Sequence, residues 1–423
     1  MLSILSSLKP SKLVSAACTA VAVCASVMGI ASCSMMHDDL DPCPTRDTGL
    51  FVRFVYDYNT QRADMFKDHV GYVQLNVFDE AGKLVAQRKV SNSEVESPLQ
   101  TYGYTMHFTN DELPAGHRYR LQAIGLQKDW DEANKTAGAK YRMLNAVKDT
   151  ASVRIALDRD MAVVTNTQLH PVSTEAPLDT LWHTLKVNTD LILDKSEYDA
   201  PVPAPARTVA PYSVYPLEDQ LVSVEEDHAT YATVSMIRDT KQLNITVRQI
   251  EHPDEVFASD FKVTLVDDNC LLGSDNALLP ADSVLYRPYA QWTSRFDHNG
   301  LTIEPENAVT DEDFVGEKDP DLQRTAHYNF MFNRLMFNKD INKSARLVLR
   351  NRKTDEVIAN INLPYILAEG RDAFALYNYT PQEYLDREYD YHLDFFLKGD
   401  KWVYIIVDVN ILGWSKRIQN VAL

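Results

Sequence analysis

Side chains able to do chemistry are plentiful in this 423-residue chain, but their spacing is not that of a catalyst. Eleven histidines are scattered, and none sits at a short spacing from another that would put two imidazoles on one metal ion. The H-E-x-x-H helix, the G-x-S-x-G elbow, the G-x-x-x-x-G-K-[ST] phosphate loop and the G-x-G-x-x-G turn are all missing from the sequence. Asp267-Asp268-Asn269 and Asp311-Glu312-Asp313 could offer oxygens to calcium, yet neither follows the D-x-[DN]-x-[DN]-G order, and solvated turns are the simpler reading. Paired carboxylates for glycoside hydrolysis depend on a three-dimensional separation that sixty acids leave open. We therefore assign no catalytic residue and no metal site, and expect a protein that is not an enzyme. Tyr286, Tyr289 and Trp292, and the series Tyr377, Tyr379, Tyr384, Tyr389 and Tyr391, could stack sugar rings, but such residues more often fill a core or an inter-domain seam.

The one thiol with a reactive context is Cys33. Lys9 and Lys12 precede an uncharged run from Leu13 to Ala31, and small residues at Ala31 and Ser32 lead directly into the cysteine. That is the layout of a secretory signal peptide, and its end resembles the lipobox of bacterial lipoproteins. The resemblance implies a diacylglycerol and an N-acyl chain on Cys33, and no cofactor beyond that lipid is expected. A marginal transmembrane helix and an ordinary signal peptide are the competing readings. Cys18 and Cys24 would leave with the signal, so Cys43 and Cys270 remain, able to pair in an oxidising compartment or to stay apart.

The net charge is −18, and loss of Lys9 and Lys12 makes the rest two charges more negative. Nucleic acid is excluded as a partner, since phosphate binding needs a basic face, and attachment to anionic lipid has to come from acyl chains rather than charge. After a signal peptide over 1–32, residues 33–49 are rich in Asp and Pro and read as a tether.

Strand periodicity begins at Leu50, with Leu50, Val52, Phe54, Tyr56 and Tyr58 on one face. Val73–Phe78 and Leu84–Val90 flank a Gly-containing turn as a hairpin, and further strands are expected at Tyr104–Phe108, Tyr119–Gly125 and Ser152–Leu157. Five prolines between Pro201 and Pro216 mark a connection rather than a sheet centre. Beyond it, Tyr231–Arg238 with Leu243–Gln249 and Arg346–Asn351 with Val357–Leu363 read as hairpins, and the chain closes with Tyr391–Leu397, a turn, and Trp402–Leu412. The expectation is an all-β protein of two sandwiches in tandem, 50–215 and 216–423.

The cysteine-led tether Asp38–Pro44, the run Leu50–Asn59, Ala63 with Phe66, and Val73–Asp79 with Gly82-Lys83 behind it resemble the FimB/Mfa-type fimbrial anchor lipoproteins. Leu181-Trp182-His183, Arg238-Asp239-Thr240, Asp268-Asn269, Asp275-Asn276 and Tyr286–Tyr289 extend the resemblance over most of the chain. It implies two transthyretin-like β-sandwich domains on an outer-membrane lipid anchor at the cell surface, which anchor or cap a polymeric fimbria. Fimbrial shaft or other fimbrillin subunits would be the partners, met by strand addition, and no small-molecule substrate is implied. Relatives often carry a second cysteine where this chain has Gly71-Tyr72, which leaves Cys43 either with Cys270 or as a thiol.

The expected assembly strand is the C-terminal run marked by Trp402, Tyr404, Ile406, Trp414, Val421 and Leu423, although 402–412 also reads as an ordinary central strand. Residues 413–423 are the better candidate for an exposed or donated end. The alternative function is a surface glycan-binding lipoprotein of a nutrient-uptake system, which would share anchor, acidity and fold. Asp149-Thr150-Ala151, Asp179-Thr180-Leu181 and Asp282-Ser283-Val284 resemble a short O-glycosylation acceptor.

Overall fold

The computed structural model describes residues 48–92, 98–101, 103–135, 138–158, 170–171, 176–189, 221–296, 302–303, 323–411 and 414–420. These lie in one compact unit, Thr48–Leu423. Its strands in chain order as far as Arg238 are β1 (Gly49–Val55), β2 (Tyr72–Phe78), β3 (Leu84–Ser91), β4 (Met106–Phe108), β5 (Arg118–Leu126), β6 (Tyr141–Met143), β7 (Ile155–Leu157), β8 (His170–Pro171), β9 (Leu181–Asn188), β10 (Leu221–Ser223) and β11 (Ala229–Arg238). Then come β12 (Lys241–Gln249), β13 (Phe261–Asp267), β14 (Leu271–Leu272), β15 (Val284–Tyr286), β16 (Ala290–Phe296), β17 (Thr302–Ile303), β18 (Gln323–Phe332), β19 (Arg346–Asn351), β20 (Val357–Asn362), β21 (Asp390–Lys398), β22 (Lys401–Ile411) and β23 (Trp414–Asn420).

The first sheet runs β3-β2-β5-β9-β11-β1-β4, with β10 on β5. Both wings send side chains to one core: Leu50, Val52 and Phe54 from β1 meet Val73, Leu75 and Val77 from β2. The expected alternation therefore holds, and the sheet wraps over its own apolar face. On the reverse face of β2 the amides of Gln74 and Asn76 are buried too. They are satisfied laterally, Asn76 Nδ2 donating to Gln122 Oε1 at 2.6 Å and Gln87 Nε2 to Asn76 Oδ1 at 2.8 Å, as buried amides require.

The second sandwich packs the sheet β17-β16-β18-β12-β21-β22-β23 on the sheet β20-β19-β13-β15-β8. Leu243, Ile245, Leu393 and Phe395 from one face Val263, Leu265, Leu347 and Leu349 from the other. The same core takes in Tyr72, Phe78, Ile124 and Leu126 from the reverse face of the first sheet, so no solvent layer separates the sandwiches. The small sheet β14-β7-β6 also feeds it through Tyr141, Ile155 and Leu157.

Three hairpins form where expected. Gly82 (φ +81°) and Gly399 (φ +59°) take the left-handed turn positions in β2-β3 and β21-β22, and Asp355 (φ +55°) does so in β19-β20. The expected hairpin of Tyr231–Arg238 with Leu243–Gln249 does not form. β11 pairs in parallel with β1 and antiparallel with β9, while β12 pairs with β18 and β21 in the other sheet. Asp239-Thr240 is thus a crossing between sheets, and the two strands that a boundary at 216 assigns to the second sandwich, β10 and β11, lie in the first sheet. A two-residue polar gap suits a hairpin loop, but the long partners on either side outweigh it. The Pro-rich connection, the acidic triplet 311–313 and the signal segment lie outside the described residues.

Candidate functional site

Two regions could carry function: the C-terminal strand pair, and a buried polar seam at the sheet crossing. In the strand pair, β22 is bracketed by β21 and β23, which closes the sheet. Ile405, Val407 and Val409 enter the core, so β22 is the ordinary inner strand of the two readings. A register shift opposite Phe396/Leu397 makes Val403 an extra residue, and it points outward at 48% exposure. Trp402 consequently packs on the core while Tyr404 stacks on Phe396 at 4.4 Å, so Trp402, Tyr404 and Ile406 do not share the single face that strict alternation would give. Trp414 opens β23, which among the described residues has β22 as its sole neighbour and stands at the sheet edge. Val421 and Leu423 lie outside the described residues, as do Cys33 and Cys43. Cys270 is buried, with Sγ 3.6 Å from the carbonyl of Asp282.

The seam is built at the crossing itself. Arg238, Asp239, Thr240 and Lys241 are all buried. Asp239 accepts from His183 Nδ1 at 2.5 Å and from Asn276 Nδ2 at 2.7 Å. Thr240 Oγ1 accepts from the Leu181 amide and donates to the Asp179 carbonyl, both at 3.0 Å, and lies 3.0 Å from the Tyr141 hydroxyl. The Arg238 guanidinium rests over the Tyr389 ring at 4.3 Å while its Nε donates to Thr240 O. Lys241 Nζ donates to the carbonyls of Asp386 and Glu388 at 2.8 and 2.7 Å, and burial lowers its pKa to about 8.

Beside it, Arg334 grips Asp386 with two bonds of 2.6 and 2.8 Å, both side chains fully buried. Glu388, its pKa raised by burial, accepts from Thr60 Oγ1 at 3.0 Å and ties the loop after β1 to the second sandwich. The helix Pro381–Arg387 that carries Asp386 starts where Thr380 Oγ1 accepts from the Glu383 amide, ahead of Pro381 at its first turn. Nothing here resembles a nucleophile with an exposed approach; the arrangement locks two sandwiches in one geometry.

Part of the residue groups in which the sequence resembles an anchor family meets at this seam. Trp182, His183, Arg238, Asp239, Thr240, Asn276 and Asn269 all belong to it, with Tyr286 OH donating to Asn269 Oδ1 at 2.6 Å. Lys241, Arg334, Asp386 and Glu388 were not singled out by sequence reading, and a Thr-Pro-x-Glu start at Thr380 was the local signal available. Tyr379, Tyr384 and Tyr391 are buried and Tyr389 is half-buried against Arg238, which makes these four core and seam rather than a sugar platform, whereas Tyr377 stays exposed and stacks on Tyr379 at 5.5 Å. Asp268 is an exposed turn residue whose neighbour Asn269 donates to the carbonyls of Asn333 and Arg334. Among the described residues no cluster of three His, Cys, Asp or Glu side chains could hold a metal ion, and no helix is long and apolar enough to cross a membrane. Thr180 is buried, which removes it as a glycosylation acceptor in the folded chain, whereas Thr150 and Ser283 are partly exposed.

The family profile of the fimbrillin-A-associated anchor proteins Mfa1 and Mfa2 matches residues 40–203 and 214–420. The chain belongs to that family. The anchor-family fold recurs in solved structures. A candidate adhesin from Bacteroides thetaiotaomicron superposes with TM-score 0.60 at 24% identity, over 90% of this chain and 100% of that one. A candidate polysaccharide-binding protein from the same species gives 0.58 at 24% identity, over 88% and 99%. The fimbrial anchor protein Mfa2 from Porphyromonas gingivalis gives 0.50 at 14% identity, over 87% and 98%. No curated protein matches the chain. The anchor family is of a fimbrial, non-enzymatic type, and the all-β two-sandwich fold expected from the strand pattern is the fold it has.

Proposed function

We propose that this chain is a lipid-anchored subunit of the outer membrane, held at the cell surface through Cys33, that anchors or caps a polymeric fimbria and meets the neighbouring subunit by strand addition. Family membership supports the anchor role. The observation that carries the contact is the position of β23, which among the described residues stands at the edge of its sheet with β22 as its neighbour. An edge strand offers one row of backbone donors and acceptors to an incoming chain. A strand that pairs only with its hairpin partner can also leave the sheet to complete another one. The acidic body keeps non-specific contacts with anionic surfaces weak and leaves the tether to do the holding.

Deleting residues 413–423 tests the contact. The deleted protein should keep the melting temperature of the sandwich core to within a few degrees, because the apolar residues of β22 stay in place. It should fail to co-purify with fimbrial polymer. Undiminished co-purification would discard the C-terminal edge as the assembly surface. Recovery of the protein on a polysaccharide affinity gel, with no polymer bound, would favour the glycan-uptake alternative.

A further inference from the structure

On a chain of net charge −18, a concave surface lined by cations and, among the described residues, free of carboxylates is unexpected. Such a cleft of about 510 Å³ lies where the chain passes from β15 to β16. Lys262 and Thr264 come from β13, Arg287 and Tyr289 from the crossing, Gln291 from β16, and Arg352 from the β19-β20 turn. Among the described residues neither Lys262 nor Arg287 pairs with a carboxylate. Arg352 is fixed in place, its amide donating to Asp260 O at 2.8 Å and its Nη2 to Phe261 O at 3.0 Å. The Tyr289 amide donates to Asn329 O at 2.9 Å, which sets the ring at the cleft wall. Asp260, at the foot of β13, is engaged by Lys353 at 3.7 Å and by the Phe257 amide.

The ladder register adds a second observation. Lys262 stands directly opposite Arg350, whose Nη1 donates to the Asp355 carbonyl rather than to an acid. Like charges facing each other across a ladder cost stability, so the facing charges of this pair do not stabilise the sheet. The pair concentrates positive charge at the rim of the cleft.

We propose that this cleft binds an anionic saccharide, with the carboxylate of a uronate-type ring held among Lys262, Arg287 and Arg352. The volume suits about one to two sugar rings. Tyr289 offers an aromatic wall for a ring face, and the Thr264 hydroxyl and Gln291 amide offer directional partners for sugar hydroxyls. β13 pairs with β15 only from Leu265 to Asp267, so its first half is open toward the cleft. That open stretch is shorter than the run of residues that strand addition by an acidic peptide would use.

The test is calorimetric titration of the full chain with trigalacturonate, with maltotriose as the neutral control and a Glu-rich peptide as the acidic control that is not a sugar. Trigalacturonate should bind at least about tenfold more tightly than either control, and weaken as salt rises. Lys262→Glu combined with Arg287→Glu should lose at least about tenfold in affinity, with a melting temperature no lower than the parent. Arg287→Gln alone, at an exposed loop position, should give a smaller loss. Equal binding of maltotriose, equal binding of the peptide, unchanged affinity in the double variant, or no binding of trigalacturonate at millimolar concentration would each overturn the assignment.

Discussion

Arg334 and Asp386 show at the scale of single residues how the seam works. With both side chains sealed from solvent, their attraction has to offset the loss of two hydration shells, and the two-bond geometry is what allows it. Asp386→Asn should destabilise the protein by about 3–5 kcal/mol, because it strands the guanidinium, whereas Arg334→Met with Asp386→Leu should recover much of the loss. Denaturant titration of the two variants measures this, and equal losses in both would mean that the pair acts through something other than charge. His327 gives a pH signature. Burial, then Arg248, lowers its pKa to about 4 from 6.5, with its ring stacked on Trp292 at 4.8 Å. Between those values the unfolded chain binds a proton that the folded chain refuses, so stability falls as pH drops from about 6.5 to 4. The contribution should be about 2 kcal/mol after allowance for partial exposure. His327→Gln should show a shallower decline over the same window in pH-dependent melting, and an identical slope would contradict the assignment.

The element scale separates what local sequence could reveal from what it could not. The β2-β3, β19-β20 and β21-β22 hairpins were legible because alternation on both sides and a polar turn lie within a few residues of each other. The β11-β12 junction was misread by the same logic. Asp239-Thr240 is a good hairpin loop in isolation, and only the distant β1 and β21, both parallel partners, show that the strands diverge. The short helices Leu363–Ala368 and Pro381–Arg387 carry only a local signal, Asn362 and Thr380 capping them ahead of a proline, which the surrounding strand pattern masks. As for the site, the resemblance marked half of the seam and charge balance gave no warning of a local basic cleft. Thr240 is the pin of the junction, with contacts to Leu181, Asp179 and Tyr141. Thr240→Val should cost about 2–3 kcal/mol in denaturant unfolding, since two buried partners lose their bond; a loss below about 0.5 kcal/mol would show the crossing to be held by packing alone.

At the scale of the whole molecule, the parts divide the work of an anchor. The merged core and the seam make the two sandwiches one mechanical body, able to pass a pull at one end to the other without either sandwich turning. On the proposed function, the edge strand β23 receives the next subunit and the acidic segment ahead of β1 leads back to the lipid-bearing Cys33. The direct test of this division is the location of fimbriae in cells carrying Cys33→Ala. Fimbrial polymer should move from the cell fraction to the medium, and the variant should take up no radiolabelled palmitate. Fimbriae that stay on the cells at parental levels, with the variant unlabelled, would contradict the claim that this chain is the anchor.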